Sequence, residues 1–250
     1  MNFPQELLDE ILSYLPPESL PRWARDCSLV ARSWLQPSRR RLFESVSIRG
    51  DDLQSWLDTI PPTNVRILQH VRSFHFSGAR GFSGPMIGVE DLYTYFPSFR
   101  RLQAITLRCT HVSLDIHKRI EMFSPSKDTL LSLTLSNVSL SWPSFITLVD
   151  YFPNLRDLQL EGLSLKDGNP YPSPLSRPLH GKLSFLSHKK ESLVALCDWF
   201  CELEAEYDEL AVHIGYGWAS YSQNIVHAYG KNLKRLGFHS CECNCIQITS

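Results

Sequence analysis

LLSLTLS at Leu130–Ser136 and LRDLQLE at Leu155–Glu161 share one spacing, L-x-x-L-x-L, in which the last two apolar positions alternate with polar ones. A strand has a period of two, so Leu133 and Leu135 fall on one face while Ser132, Thr134 and Ser136 fall on the other. The same spacing recurs at Val71-x-x-Phe74-x-Phe76, Leu102-x-x-Ile105-x-Leu107 and Leu233-x-x-Leu236-x-Phe238. Starts at 71, 102, 130 and 155 lie 31, 28 and 25 residues apart, and the 78 residues from 155 to 233 make three steps of 26. Degenerate copies sit where those steps land, at His180-x-x-Leu183-x-Phe185 and Tyr207-x-x-Leu210-x-Val212. A fixed period of this length marks a chain built from stacked supersecondary units.

Between these cores run stretches of helical spacing: Glu90 to Phe96, Phe145 to Phe152, Leu193 to Leu203 and Ser222 to Tyr229. Twice the join to the next strand reads Tyr-Phe-Pro, at Tyr95-Phe96-Pro97 and Tyr151-Phe152-Pro153, where proline is expected to end the helix and turn the chain back. One short strand and one helix per unit resembles the irregular leucine-rich repeats that commonly follow an F-box in fungal proteins. The resemblance implies an α/β solenoid over residues 46–250, of about seven repeats, with a parallel concave sheet and helices on the convex side. A conventional α/β domain with similar alternation is the competing reading. The last copy has no evident polar cap, and an exposed final strand would be a pairing hazard.

The first 45 residues read differently. Leu7, Leu8, Ile11, Leu12 and Leu15 form an apolar stripe on a 3.6-residue period, with Glu6, Asp9, Glu10 and Ser13 opposite. Pro4 suits the first turn, acidic residues crowd the positive helix start, and Pro16-Pro17 stop it. A second stripe uses Trp23, Cys27, Val30, Ala31 and Trp34, and a basic stretch, Arg39-Arg40-Arg41-Leu42-Phe43, follows. Roughly three short helices of this size cannot bury all their apolar surface internally and need a neighbour. Docking of this stripe on the rest of the chain is one solution.

The order Phe3-Pro4-x-Glu6-Leu7-Leu8-x-x-Ile11-Leu12-x-x-Leu15, then Leu20, then Cys27-Ser28-Leu29-Val30-Ala31-Arg32-Ser33-Trp34 and Arg41-Leu42-Phe43 resembles the F-box. Ala31 stands where that family often has Cys, a small-for-small change, and the Pro-rich turn at 16–21 leaves the second helix loosely aligned. The resemblance implies a helical module over residues 1–45 that docks the Skp-family adaptor of cullin-based ubiquitin ligases. Pro4, Leu7, Leu8, Ile11, Leu12, Leu15, Leu20, Val30 and Trp34 would form or support that interface, with Val30 and Trp34 leaning toward internal core. The chain would then be a non-catalytic receptor subunit whose repeats bind a protein target. An interaction scaffold that binds the adaptor without directing ubiquitination is the alternative.

Composition sets limits on these readings. With 250 residues, 43% hydrophobic, Lys+Arg 25 against Asp+Glu 26 and net charge -1, the chain has no global field to draw nucleic acid or an anionic membrane. It lacks an apolar run of about 18 residues and a basic-then-apolar leader. Seven cysteines at irregular spacing fit reduced thiols. These features place it inside the cell, in cytoplasm or nucleus.

On the repeat reading, polar positions flanking each strand's middle apolar residue present the binding surface. The residues singled out for target contact are His75, Thr106, Arg108, Thr134, Asp157, Gln159, Glu161, His213, Arg235 and His239. Hydrogen-bonding groups spread over a broad area suit a protein partner better than an enclosed small molecule. Chemistry is expected elsewhere than in this chain. Cys241-x-Cys243-x-Cys245 with His239 offers soft donors, but C-x-C spacing lacks the usual two-residue knuckle, so no metal is assigned. Cys197 and Cys201 read as small hydrophobes on a helix. Gly78 to Pro85 has neither the G-K-[ST] of a phosphate loop nor the G-x-S-x-G of a nucleophile elbow. No Ser/His/Asp order or paired-carboxylate spacing stands out, and no cofactor is assigned. Glu202 to Glu209 is an acidic, solvated run, and Lys166 to Pro178 an extended Pro-rich loop.

Overall fold

A computed structural model describes residues 40–59, 67–78, 94–108, 120–166, 180–186, 206–214, 235–240 and 245–249. It also describes the single positions Leu7, Glu10, Ile11, Tyr14, Asp26, Ser38, Leu92, Leu175, Leu196, Trp199 and Phe200. The fold is α/β, with a mostly parallel sheet and few helices.

Nine strands form the main sheet: β1 (Ser45–Arg49), β2 (Ser73–Ser77), β3 (Ala104–Arg108), β4 (Ser132–Ser136), β6 (Asp157–Glu161), β8 (His180–Leu186), β9 (Glu206–Ile214), β10 (Arg235–Ser240) and β11 (Cys245–Thr249). They lie side by side in that order, so the sheet follows the chain. Every neighbouring pair from β1 to β10 is parallel. Each repeat spacing read from the sequence lands on one strand, in register: Phe74, Ile105, Leu133, Leu158, Leu183, Leu210 and Leu236 form one row across the sheet.

Parallel sheets are ordinarily covered on both faces. Among the described residues one face of this sheet is apolar and covered, and the other is polar and partly exposed except at β4, where Thr134 and Ser136 are buried. Strands β1, β2, β3 and β6 alternate strictly between buried and partly or fully exposed positions. The apolar positions of the spacing sink beneath the sheet, none more than 3% exposed from Val71 through Leu160. At roughly 25 cal/mol per Å² these rows supply the main driving force for the fold.

Backbone bonding repeats with the same period. The carbonyl of Glu44 accepts from the N–H groups of Arg72 and Ser73, that of Arg72 from Gln103 and Ala104, that of Gln103 from Leu131 and Ser132, and that of Leu131 from Arg156 and Asp157, all at 2.7–2.9 Å. One carbonyl before each strand thus seats the next unit and holds the register.

Under the sheet, the connections supply aromatic rings. Phe96 contacts Phe74, Phe99 and Phe123 at centroid distances of 5.5, 5.6 and 4.7 Å, and Phe123 contacts Phe152 at 5.7 Å. All five are buried. Edge-on pairs of this kind add about 0.5–1.5 kcal/mol each beyond their area. A second knot joins Trp142, Phe145, Trp199 and Phe200 at 4.7–6.0 Å.

Helices are fewer than the spacing predicts. α1 (Leu53–Thr59) follows β1, and α2 (Trp142–Tyr151) answers the expected helix over Phe145 to Phe152. α2 starts at Ser141, whose Oγ accepts from the Ser144 N–H at 3.3 Å, with Pro143 in its first turn. Leu196, Trp199 and Phe200 are helical and buried, as the Leu193 to Leu203 pattern expects. The described part of the expected helix over Glu90 to Phe96 is corrected: Leu92 is 3-10, Thr94 and Tyr95 form a turn, and Phe96–Ser98 is a 3-10 turn with Pro97 inside it, while Glu90, Asp91 and Tyr93 lie outside the described residues. Ile120–Ser126 is another 3-10 segment, containing Pro125. Proline removes the N–H that a longer helix needs, so it ends α2 at Pro153 but shapes a tight turn at Pro97. The Ser222 to Tyr229 pattern, Cys197, Cys201, most of Gly78 to Pro85 and most of Lys166 to Pro178 lie outside the described residues.

Among the described residues, four strands escaped the sequence reading: β1, β5 (Ser139–Ser141), β7 (Ser164–Lys166) and β11. β1 carries the spacing Phe43-x-x-Val46-x-Ile48, an unrecognised first copy. β5 and β7 form a separate parallel pair. They follow the main strands through Asn137 at φ 53 and Gly162 at φ 60, which are equivalent positions 25 residues apart. The left-handed backbone reverses the chain there, and the Asn137 N–H donates to the Glu161 carbonyl at 2.6 Å. The seventh copy is not the last strand of the sheet: β11 pairs antiparallel with β10 and takes the edge position.

Gly162→Ala and Gly181→Ala separate backbone strain from steric clash. A Cβ at Gly162 meets the movable Asn137 side chain, whereas at Gly181 (φ +99) it drives into the Arg156 carbonyl, which accepts from Lys182 N–H at 2.6 Å. Gly162→Ala is expected to lower unfolding free energy by about 1–2 kcal/mol. Gly181→Ala should lower it by more, because the clash falls on backbone at the register shift between Gly181 and Lys182. Urea midpoints in which Gly162→Ala is the worse of the two would contradict this geometry.

Candidate functional site

The uncovered face of the sheet is the broadest candidate. Its residues stand in three rows fixed by the register. The middle row runs Ser47, His75, Thr106, Thr134, Gln159, Ser184, Ala211, Gly237, hydroxyl- and amide-rich with His75 the one titratable side chain. One flanking row contains Asp157, Lys182, Glu209 and Arg235; the other contains Arg49, Arg108, Glu161, His213 and His239. Eight parallel strands about 4.8 Å apart give a face about 34 Å across, and five residues per strand make it about 16 Å deep. That is the scale of one side of a protein interface, roughly 800 Å² per partner.

All ten target-contact candidates therefore lie on strands of one sheet, His75, Thr106, Thr134 and Gln159 in the middle row and the other six in the flanking rows. His75, Thr106, Asp157, Gln159 and Glu161 are half-buried and Arg108 is exposed. Thr134 departs from the expectation: it is only 8% exposed, with Thr106 and Gln159 on either side in the row, and Ser136 beside it is 4% exposed. A side chain buried to this degree presents little to a partner. For His213, Arg235 and His239 the backbone register sets the row.

Hydrogen bonds already organise the polar groups. Ser132 Oγ donates to Asp157 Oδ2 at 3.1 Å and Ser136 Oγ to Glu161 Oε2 at 3.0 Å, each across neighbouring strands. Gln159 Nε2 lies 3.3 Å from Asp157 Oδ2, and Lys182 Nζ pairs with Glu209 Oε2 at 2.7 Å. Ser73 Oγ and His75 Nε2 are 2.9 Å apart. The face grades from basic and hydroxylic at β1–β3 to acidic at β6. Such grading sets partner orientation more than affinity.

A second candidate is the N-terminal apolar stripe. Leu7, Glu10 and Ile11 are helical, and the Tyr14 N–H donates to the Ile11 carbonyl at 3.3 Å. Spaced i, i+4 and i+7, Leu7, Ile11 and Tyr14 share one face. They are 45%, 42% and 78% exposed. Pro4, Leu8, Leu12, Leu15, Leu20, Val30 and Trp34 lie outside the described residues.

Cys245 begins β11 opposite His239, while Cys241 and Cys243 lie outside the described residues. Among the described residues no group of three His, Cys, Asp or Glu side chains is placed to hold a metal ion. Among them, too, no helix is long and apolar enough to cross a membrane. No protein-family model matches the chain, and no curated protein matches it.

His75 offers a spectroscopic handle on the open face. Burial first, and the Arg108 charge second, hold its imidazole below the ordinary value of 6.5. The folded state thus favours the neutral ring. Its contribution to stability is complete above about pH 6.5 and is lost as pH falls through the lower folded value. Proton NMR should find the His75 midpoint below 6.5, with Arg108→Gln raising it only partway because burial is the larger cause. Full return to 6.5 in that variant would show the ring to be solvated.

Proposed function

We propose that this chain is the substrate-recognition subunit of a Skp-cullin-F-box type ubiquitin ligase. The N-terminal helices dock the Skp-family adaptor and, through it, a cullin; the open sheet face binds a protein target. The observation that carries this reading is the exposure of Leu7, Ile11 and Tyr14 on one helical face. Aligned large apolar side chains left in water are a liability unless another polypeptide covers them. Leu7 and Ile11 are two of the apolar positions of the F-box pattern quoted above, and Tyr14 extends their face.

The finer architecture belongs to the same proposal. Strand order that follows the chain, a repeating register and one bare sheet face are what stacked leucine-rich repeats produce, with the bare face as the concave side. In this arrangement the chain does no covalent chemistry. Holding a target near an enzyme supplied by other subunits raises effective concentration, which accelerates transfer without a catalytic group here.

The alternative is a scaffold that binds the adaptor without directing ubiquitination. Co-purification of tagged full-length chain with purified adaptor and cullin separates the cases. Wild type should recover both, and Leu7→Asp with Ile11→Asp should lose both while the urea midpoint stays within the small range typical of exposed positions, about 0.5 kcal/mol. Undiminished recovery by the double variant would remove this face from the interface. Adaptor without cullin would favour the scaffold.

A further inference from the structure

Where the N-terminal segment meets the first strands, a cleft of about 270 Å³ is lined by Arg40, Arg41, Glu44, His70, Arg72 and Arg101. Three separate stretches supply it: the helical end of the N-terminal segment, the turn before β2, and the turn before β3. The carbonyl ladder brings them together, since Arg72 N–H donates to Glu44 and the Arg72 carbonyl accepts from Gln103 and Ala104.

Four guanidiniums and one carboxylate line this cleft among the described residues. Glu44 Oε2 takes Arg41 at 2.6 Å and Oε1 takes Arg72 at 3.1 Å, so both its oxygens are engaged. Among the described residues Arg40 and Arg101 have no carboxylate partner, and the lining carries a net charge of +3 with His70 neutral. In the same cleft, burial first and then the charges of Arg40 and Arg101 hold the His70 imidazole below its ordinary range. Gathering four like charges in a partly desolvated cleft is unfavourable unless an anion neutralises them.

We infer that this cleft is a binding site for a compact polyphosphate, held by Arg40 and Arg101 with Arg41 and Arg72 behind them. Guanidinium forks match phosphate oxygens two at a time. The volume lies just below the roughly 300–1,000 Å³ of sites that enclose drug-sized ligands, which fits a small, highly charged molecule and not a folded partner. Because its donors come from both the N-terminal segment and the strands, the bound anion ties residues 40–44 to the sheet. The site is independent of the F-box reading and of the open sheet face.

Isothermal titration of the full chain with inorganic tripolyphosphate at low ionic strength tests this. The expected result is saturable binding at one site per chain, a raised melting temperature, and affinity that falls as salt is added. Arg40→Gln and Arg101→Gln should each weaken binding at least about ten-fold, and Arg49→Gln, on the exposed end of β1, should leave it unchanged. Melting temperatures of the ligand-free variants near wild type show that the fold is intact. The inference is overturned if tripolyphosphate does not bind, if sulfate at matched ionic strength does as well, if Arg49→Gln weakens binding equally, or if the arginine variants bind like wild type. Binding of phosphoserine peptides without tripolyphosphate binding would also overturn it, placing the chemistry in a protein ligand.

Discussion

The file of rings from Phe74 through Phe96 and Phe123 to Phe152, packed beneath the leucine rows, is the contact on which the rest of the described structure depends. Short parallel strands cannot stand alone, because each needs a neighbour for its backbone groups and a cover for its apolar side. Here the ladder of carbonyls supplies the first, and connections carrying the buried Phe96, Phe123 and Phe152 supply the second. The turns at Phe96 and Phe123 are 3-10 segments, too tight to be long helices. They reach the core through single large side chains instead.

Covering only one face has a functional consequence. The opposite face keeps three ordered rows of polar side chains whose spacing is set by backbone pairing and not by their own interactions. Adjacent groups such as Ser132 with Asp157 and Ser136 with Glu161 then bond across strands, which orders them in advance of any partner. The N-terminal stripe and the arginine cleft lie outside this face. On the proposed receptor role, the open face would recognise the target and the N-terminal stripe would dock the adaptor.

The legibility of these features from sequence was uneven for physical reasons. L-x-x-L-x-L with a period near 26 located seven strands, since burial of alternate residues leaves a strong trace in apolar spacing. β1 was passed over because Phe43 was absorbed into the basic stretch before it, although Phe43-x-x-Val46-x-Ile48 keeps the spacing. β5 and β7, with three residues each, are too short to show alternation; the clue was the matched Asn137 and Gly162. Tyr-Phe-Pro was read as a stop signal, whereas its lasting contribution is the buried phenylalanine. The arginine cleft was invisible: Arg72 and Arg101 lie far from Arg40 and Arg41 in sequence and become neighbours only through the stacking.

What the sequence determined by itself was the periodic apolar pattern, and with it the strands and the side of each that must be buried, because hydrophobic burial depends on residue type and local spacing. Tertiary structure alone decided which polar residues share a row, that Thr134 is hidden while Arg108 is open, that the last parallel strand gains an antiparallel neighbour, and that four distant arginines converge. Those outcomes depend on distances between units about 25 to 31 residues apart, and no local pattern encodes a distance until backbone pairing closes it.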